Sequence, residues 1–293
     1  MRRGNYATNA TTYYPLIYYI FRFLLVSLNI QTILQESTIY RRREQLTKIT
    51  DGLGLGDAYS ATIERIKAQG GGKLRLGIEA LMWISYAERP LSADELCHAL
   101  AVQLGSKDFN AGNIPSMATV VGCCQGLITV DKEASAVRLI HFTLKQYLSA
   151  HHYIFGRPHS AMTEICLTYL NSEHVKSLPP YSTYDARETT FLGYCSVYWG
   201  VHAKRELSVS AMSLALELFQ QYDGPGHISR GFLLGRLRSL GGWHFGTYFP
   251  FSGLHCASFF GIVDAVATLI EREYCNLNER DFGGVYSAFM GCL

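Results

Sequence analysis

The sequence has few charged side chains for its length. Asp, Glu, Lys and Arg make up 17% of the 293 residues, whereas hydrophobic residues make up 48%. The formal net charge is only +2, so the composition gives no general electrostatic basis for binding nucleic acid. A domain with so few charges is expected to place some apolar surface against a partner or against another part of a larger protein. The length allows one large domain or two to three small ones.

A nucleotide-binding motif is missing. A P-loop has the pattern G-x-x-x-x-G-K-[ST], in which backbone amides cradle phosphate and the hydroxyl meets Mg²⁺. The nearest match is Gly70-Gly71-Gly72-Lys73, but Leu74 replaces the hydroxyl residue and Lys67 stands where the first glycine belongs. We therefore expect no nucleotide binding by this chain.

The cysteines do not form a metal or redox motif. There is no C-x-x-C pair among the eight of them, so the usual zinc and disulfide-exchange motifs lack support. We expect buried, reduced thiols. Burial of Cys123 and Cys124 in an apolar helix would raise their pKa and reduce their reactivity.

The histidines give no catalytic or metal site either. His151 and His152 are adjacent, so they cannot share one helix face as a metal-binding pair would. His141 lies at a strand–helix junction and is expected to be a structural hydrogen-bonding group. No Ser/His/Asp set or pair of carboxylates stands out. The sequence therefore predicts a protein that is not an enzyme, with no catalytic residue, no metal ligand, no cofactor and no small-molecule substrate.

A long apolar run is also missing. Leu16 to Leu28 is apolar except for Arg22, Ser27 and a few tyrosine hydroxyls. A spanning helix needs about 20 apolar residues, and this run is shorter and carries a charge. Two interpretations stay open. The run is a core helix or the remnant of a longer domain in a cytoplasmic protein, or residues 13–34 anchor the protein in a membrane.

Residues 74–140 have the order of a winged helix. Apolar residues from Leu74 to Met82 recur at helical spacing. Ser92 and Glu95 form a capping box that opens a second helix, and Pro115 opens a third that runs to about Gln125.

Two β-like stretches complete this order. Leu127–Asp131 and Ala136–Ile140 are separated by a polar turn, and a further helix is expected from Phe142 to His151. Three helices followed by a hairpin are typical of a winged helix.

The third helix of a winged helix enters the DNA major groove in many proteins, and base recognition needs Arg, Lys, Asn or Gln. Residues 114–126 contain no charged side chain, and Gln125 is their only long polar one. We therefore interpret this helix as a contact surface for a protein neighbour, carried by Met117, Val120 and Val121. A DNA-binding winged-helix protein is the second alternative.

The C-terminal part has helical apolar stripes and one motif. Residues 252–257 read Ser-Gly-Leu-His-Cys-Ala, and Gly261 follows. This resembles the start of an ankyrin repeat, T-P-L-H-x-A, with Ser and Gly in place of Thr-Pro. The positions of the motif are Ser252, Gly253, Leu254, His255, Ala257 and Gly261. A second repeat would start near residue 286, shortly before the chain ends, so we expect one repeat, a truncated second one and a chain cut at both ends.

Three stretches together resemble a larger family. Arg89-Pro-Leu-Ser-Ala-Asp-Glu-Leu-Cys-His-Ala-Leu100, Val137-Arg-Leu-Ile-His-Phe-Thr-Leu-Lys-Gln-Tyr-Leu148 and Tyr194-Cys-Ser-Val-Tyr-Trp-Gly-Val-His202 are similar to the region after the ATPase core of fungal NACHT–ankyrin proteins. These are STAND proteins that are similar in plan to NOD-like receptors. The resemblance implies a segment that couples a nucleotide-binding core, here missing, to ankyrin repeats.

The expected fold is mainly α: a winged-helix domain followed by a helical arm and the start of an ankyrin solenoid. The expected function is that of a non-catalytic regulatory fragment, whose partners are proteins or neighbouring domains and not nucleic acid. A membrane-anchored ankyrin-type adaptor that uses residues 13–34 is the first alternative. The expected segments are a hydrophobic N-terminal segment (1–37), a basic linker with a short helix (38–72), a winged-helix-like domain (73–152), a helical arm (153–245) and the repeat region (246–293).

Overall fold

The structure is a computed structural model that describes residues 23–30, 33–52, 54–131, 133–178, 190–222, 227–239 and 251–271. The first part of the apolar run at 16–22, the loop at 179–189, most of the break at 223–227 and the start of the second repeat near 286 lie outside these residues. The described part is mainly helical, with one two-stranded sheet, as the sequence predicts.

The N-terminal half contains these elements in order: α1 (residues 23–30), α2 (Ile39–Gly52), α3 (Leu55–Ala68), α4 (Gly71–Tyr86), α5 (Ala93–Ala101), α6 (Met117–Cys123), β1 (Ile128–Asp131), β2 (Ala136–Leu139) and α7 (Phe142–Ala150). The C-terminal half contains α8 (Pro158–Leu170), α9 (Glu173–Lys176), α10 (Thr190–Arg205), α11 (Val209–Tyr222), α12 (Ile228–Ser239), α13 (Gly253–Phe260) and α14 (Val263–Glu271).

Local signals explain where several helices begin. Ser92 accepts a hydrogen bond from the Glu95 amide, and the Glu95 carboxylate accepts from the Ser92 amide at 2.9 Å, which confirms the capping box. Pro158 opens α8, where its missing N–H costs nothing. Gly70 and Gly71 have φ of 64° and 50°, a left-handed conformation that ends α3 and redirects the chain into α4.

Residues 38–72 are more helical than the sequence indicates. The prediction was a basic linker with a short helix, but α2 and α3 are 14-residue helices. Arg41, Arg42 and Arg43 lie on α2, where Thr38 accepts a hydrogen bond from the Arg41 amide at the start of the helix. The glycine-rich stretch at 51–56 is therefore mostly helical, since Asp51 and Gly52 belong to α2 and Leu55 and Gly56 belong to α3.

The chain forms two compact units. The first is formed by the described parts of residues 1–81, 118–129 and 138–152, and the second by the described parts of residues 82–117, 130–137 and 153–293. The winged-helix segment contributes to both. The domain boundaries expected from the sequence stay predictions.

The first unit has its core between α3, α4, α6 and α7. Tyr59, Ile66, Leu81, Val120 and Leu144 are completely or almost completely buried there. The Tyr59 hydroxyl lies 2.8 Å from the hydroxyl of Thr143, which ties α3 to α7 through a pair of polar atoms.

The second unit is a helical stack. Its core is aromatic, with Trp83 edge-on to Phe191 and Tyr194 at centroid distances of 5.5 and 5.7 Å. Phe191 also contacts Tyr169 at 5.4 Å, so α4, α8 and α10 meet through these rings. Within the described residues, no helix combines the length and the apolar character that crossing a lipid bilayer requires.

Candidate functional site

The predicted contact helix is α6, the third helix of the winged helix. Val120 is completely buried, so it contributes to the core and offers no surface to a partner. Met117 and Val121 are half-buried, and the neighbouring Ala118 and Gly122 are exposed. The accessible face of α6 therefore consists of small and apolar groups.

The position of α6 is fixed by close contacts to α3 and α4. The Gln69 side-chain amide donates to the Cys123 carbonyl at 2.8 Å, which satisfies a group at the C-terminus of α6. At Gly77 a methyl group would lie 2.8 Å from the Cys123 carbonyl oxygen and from Ile66, so only glycine allows this approach. The face that α6 presents to solvent is thus held in one orientation.

The paired cysteines lie at the inner end of α6. Burial raises the pKa of Cys124 to about 12, and the neighbouring Cys123 adds to this shift. Cys97 on α5 has its pKa raised to about 11, also by burial. Both thiols are therefore protonated at neutral pH, in line with the expectation of buried and inert cysteines.

The ankyrin-like motif forms a helix pair. Ser252 is the N-cap of α13, and its backbone N–H donates to Nδ1 of His255 at 3.2 Å. Gly261 has φ of 66° and ends α13 in the left-handed conformation, and α14 follows at once. Leu254, His255 and Ala257 are buried.

Two glycines let α13 pack closely on the helices before it. A methyl group at Gly200 of α10 would overlap the ring of Phe260, and one at Gly253 would overlap the side chain of Phe219 on α11. The Trp199 ring lies 5.4 Å from that of Phe260 and 5.7 Å from that of Phe219. The helix pair therefore continues the stack of the helical arm.

The sequence missed one polar site, which joins the loop after α4 to α8 and α10. The Glu88 amide donates to the Tyr194 hydroxyl at 3.1 Å, and this hydroxyl lies 2.9 Å from Nε2 of His202. Nδ1 of His202 lies 2.9 Å from Nδ1 of His159. We name these four groups, the Glu88 amide and the side chains of Tyr194, His202 and His159, the polar chain.

The donors and acceptors of the polar chain fit one arrangement of protons. Because the Tyr194 oxygen accepts from Glu88, its own O–H is available to donate to Nε2 of His202. Nδ1 of His202 then carries the proton and donates to His159. Both histidines are neutral in this arrangement.

Burial and charge keep these histidines neutral. Burial, with smaller contributions from His159 and Arg205, lowers the pKa of His202 to about 3. Burial and Arg205 also lower the pKa of His159, against the opposing effect of Glu88 and Glu206.

Ion pairs surround the polar chain. Arg205 of α10 binds the carboxylate of Glu88, and Arg157 donates to the Glu206 carboxylate at 2.7 Å. The second oxygen of Glu206 accepts from the Ser160 amide at 3.2 Å, so a negative charge lies at the N-terminus of α8, where the helix dipole favours it.

Arg89 ties the same loop to α5. Its guanidinium donates to both oxygens of the nearly buried Glu95 carboxylate, at 2.8 and 2.5 Å. It also lies 5.4 Å from the centroid of the Tyr194 ring. The stretches Arg89–Leu100 and Tyr194–His202, which carry the sequence resemblance, therefore contact each other.

The histidines chosen from the sequence have structural roles. His141 is the N-cap of α7 and accepts from the Thr143 amide at 3.3 Å, as expected for a strand–helix junction. Nδ1 of His151 lies 2.8 Å from the Tyr147 carbonyl. Over the described ranges, no group of three or more His, Cys, Asp or Glu side chains is arranged to hold a metal ion.

Comparison with known proteins gives one match. Residues 63–156 match a family model described as the winged helix domain of GPI inositol-deacylase. No curated protein and no solved structure matches the chain. The matched range covers α4, α5, α6, the hairpin and α7, the elements expected from the sequence, so the chain contains a winged-helix domain followed by a helical arm.

Proposed function

We propose that this chain is a non-catalytic regulatory module that binds a protein neighbour through the exposed face of α6. The observation that carries the proposal is the chemistry of this face. Ala118, Val121 and Gly122, at spacings of three and four residues, share it, and Thr119 lies beside them. Small side chains on a rigid helix leave its backbone accessible, so that another helix or sheet can approach it closely.

The same face argues against DNA binding. Contacts to bases and phosphates come mainly from Arg, Lys, Asn and Gln, and affinity for DNA depends on cations that displace counterions. Residues 114–124 contain none of these four residue types. Asn113 lies just before this stretch and Gln125 just after it. Gln125 donates to the Gly122 carbonyl at 2.9 Å, so its amide is already engaged.

The finer proposal is that this module belongs to a NACHT–ankyrin receptor-like protein. Its support is the order of the parts: a winged helix, a helical arm and a capped helix pair that packs on the arm through Gly200 and Gly253. In such a protein the module would couple the state of a nucleotide-binding core to the repeats by packing differently in two states.

Two titrations of the purified chain test the proposal against its competitors. With a fluorescent duplex of random sequence at physiological salt, we expect no binding tighter than about 10⁻⁴ M. Micromolar binding that weakens steeply as salt is raised would establish the DNA alternative instead. With ATP or GTP we expect no saturable binding in the micromolar range, and such binding would overturn the non-catalytic assignment.

A further inference from the structure

We propose that α2 and the segment just before it carry a surface that binds the face of an anionic lipid membrane without crossing it. This N-terminal surface consists of Leu34, Ile39, Tyr40, Arg41, Arg43 and Leu46. All six side chains are exposed, and Ile39 and Tyr40 have 69% and 78% of their surface in contact with solvent. Large apolar groups exposed close together mark interaction sites.

The geometry of α2 places apolar and basic groups together. Ile39, Arg43 and Leu46 have the spacing i, i+4, i+7, so they share one face of the helix. Ile49 is the only one of its described side chains that is buried. The helix is therefore attached near its C-terminal end and offers most of its length to a partner.

The approach to α2 is held rigid. The Arg42 guanidinium donates to the backbone carbonyls of Glu36 at 2.9 Å and Leu34 at 3.3 Å. Arg65 of α3 donates to the Leu28 carbonyl at 2.7 Å, which fixes the end of α1. Leu34 and Ile39 are thus presented at defined positions.

The charge distribution selects the partner. Residues 1–50 carry seven basic and two acidic side chains, whereas the rest of the chain carries 19 of the 26 basic and 22 of the 24 acidic ones. Basic groups next to exposed aromatic and aliphatic groups fit the headgroup region of anionic lipid, where the charges meet phosphate and the apolar groups enter the acyl boundary. A symmetric pairing of two copies would instead bring like charges together.

Vesicle binding of the full chain tests this inference. We would measure co-sedimentation with phosphatidylcholine vesicles and with vesicles that also contain phosphatidylserine. We expect binding to the anionic vesicles only, and weaker binding at higher salt. The pair Arg41→Gln/Arg43→Gln is expected to weaken it by about tenfold or more, and Ile39→Ser/Tyr40→Ser/Leu46→Ser is expected to abolish it.

Matched controls separate the surface from general effects. Val209→Ser/Val263→Ser removes two valines that are 87% and 76% exposed in the second unit, and Lys73→Gln/Lys145→Gln removes two charges elsewhere. Both control variants should bind as the wild type does. All the replaced side chains are exposed, so circular dichroism should show an unchanged fold.

Three results would overturn the inference. The first is equal binding to neutral and anionic vesicles, and the second is vesicle binding that the N-terminal variants leave unchanged. The third is a concentration-dependent dimer in sedimentation without lipid, if the apolar variant abolishes that dimer.

Discussion

Tyr194 and His202 lie eight residues apart on α10, and the tyrosine hydroxyl meets Nε2 of the histidine at 2.9 Å. Both side chains are completely buried. Because the same hydroxyl accepts from the Glu88 amide, one oxygen atom connects the loop after α4 to the helical arm.

Removal of this oxygen should destabilise the protein. Tyr194→Phe leaves the Glu88 amide and His202 without their partner in a buried place, and we expect a loss of about 1–3 kcal/mol in the free energy of unfolding. Urea denaturation measures it. Tyr198→Phe is the matched control, since Tyr198 is half-buried on the same helix and is not part of the polar chain, and it should change stability by less than about 0.5 kcal/mol. Equal losses for both variants would contradict the role of the hydroxyl.

The polar chain should make stability depend on pH. The pKa of His202 is about 3 in the folded protein, and that of an unfolded histidine is about 6.5. The unfolded state therefore binds the proton first. The stabilisation is complete above pH 6.5 and is lost as the pH falls from about 6.5 towards 3, with a slope of up to about 1.4 kcal/mol per pH unit.

Urea midpoints at pH 7, 6 and 5 check this dependence. His202→Gln should show a smaller loss of stability over this range than the wild type. The pKa of the buried His227 is lowered to about 4, so it titrates over an overlapping range. The difference between the two proteins removes this contribution and reports His202 together with its bonded partner His159. Replacement of the exposed His152 by Gln should leave the dependence unchanged. A wild-type stability that is constant from pH 7 to 5 would contradict this account.

The close approach of α10 and α13 should require glycine at position 200. Gly200→Ala would force its methyl group into the ring of the buried Phe260, and we expect a loss of about 1–3 kcal/mol. Gly235→Ala on α12 is the control, because nothing lies near the added methyl group there and alanine favours a helix by about 0.8–1.0 kcal/mol. The midpoint temperatures of thermal denaturation of the two variants should therefore shift in opposite directions relative to the wild type.

The buried thiols should react slowly. Among the residues that the structure describes, six cysteines are buried: Cys97, Cys123, Cys124, Cys166, Cys195 and Cys256. With iodoacetamide at pH 8, the peptides that contain them should be alkylated far more slowly in the native protein than in urea, as mass spectrometry can measure. Native alkylation of Cys123 or Cys124 at the rate of the unfolded chain would show that α6 opens readily.

Local signals in the sequence were sufficient for most of the fold. The Ser92–Glu95 capping box, the polar turn between the two strands and the apolar stripe of α10 each depend on residues close in sequence, and all three are present. Helix α2 was missed, because its sequence is mostly polar and basic and its described part buries only Ile49. Position 120 of the predicted contact surface proved to be core, since only packing decides which side of a short helix faces inward.

The polar chain could not be predicted for a different reason. Its members come from positions 88, 159, 194 and 202, and nothing in the local pattern shows that they meet. The histidines that attracted notice in the sequence, His141, His151 and His152, stand out by local context. His202 follows apolar and aromatic residues, which is typical of a core helix, so no local pattern marks it as part of a polar site.

A photo-crosslinker at position 121 gives the most direct measurement of the contact surface on α6. The chain would carry benzoylphenylalanine in place of Val121 and be irradiated in the cells that produce it, beside a control with the same group at the exposed Glu133 in the wing. We expect a discrete adduct from position 121 that protease destroys and nuclease does not. The same adduct should be absent with the crosslinker at position 133, and Ala118→Arg should suppress it. An adduct that nuclease destroys, or the same adducts from both positions, would contradict a protein-binding role for α6.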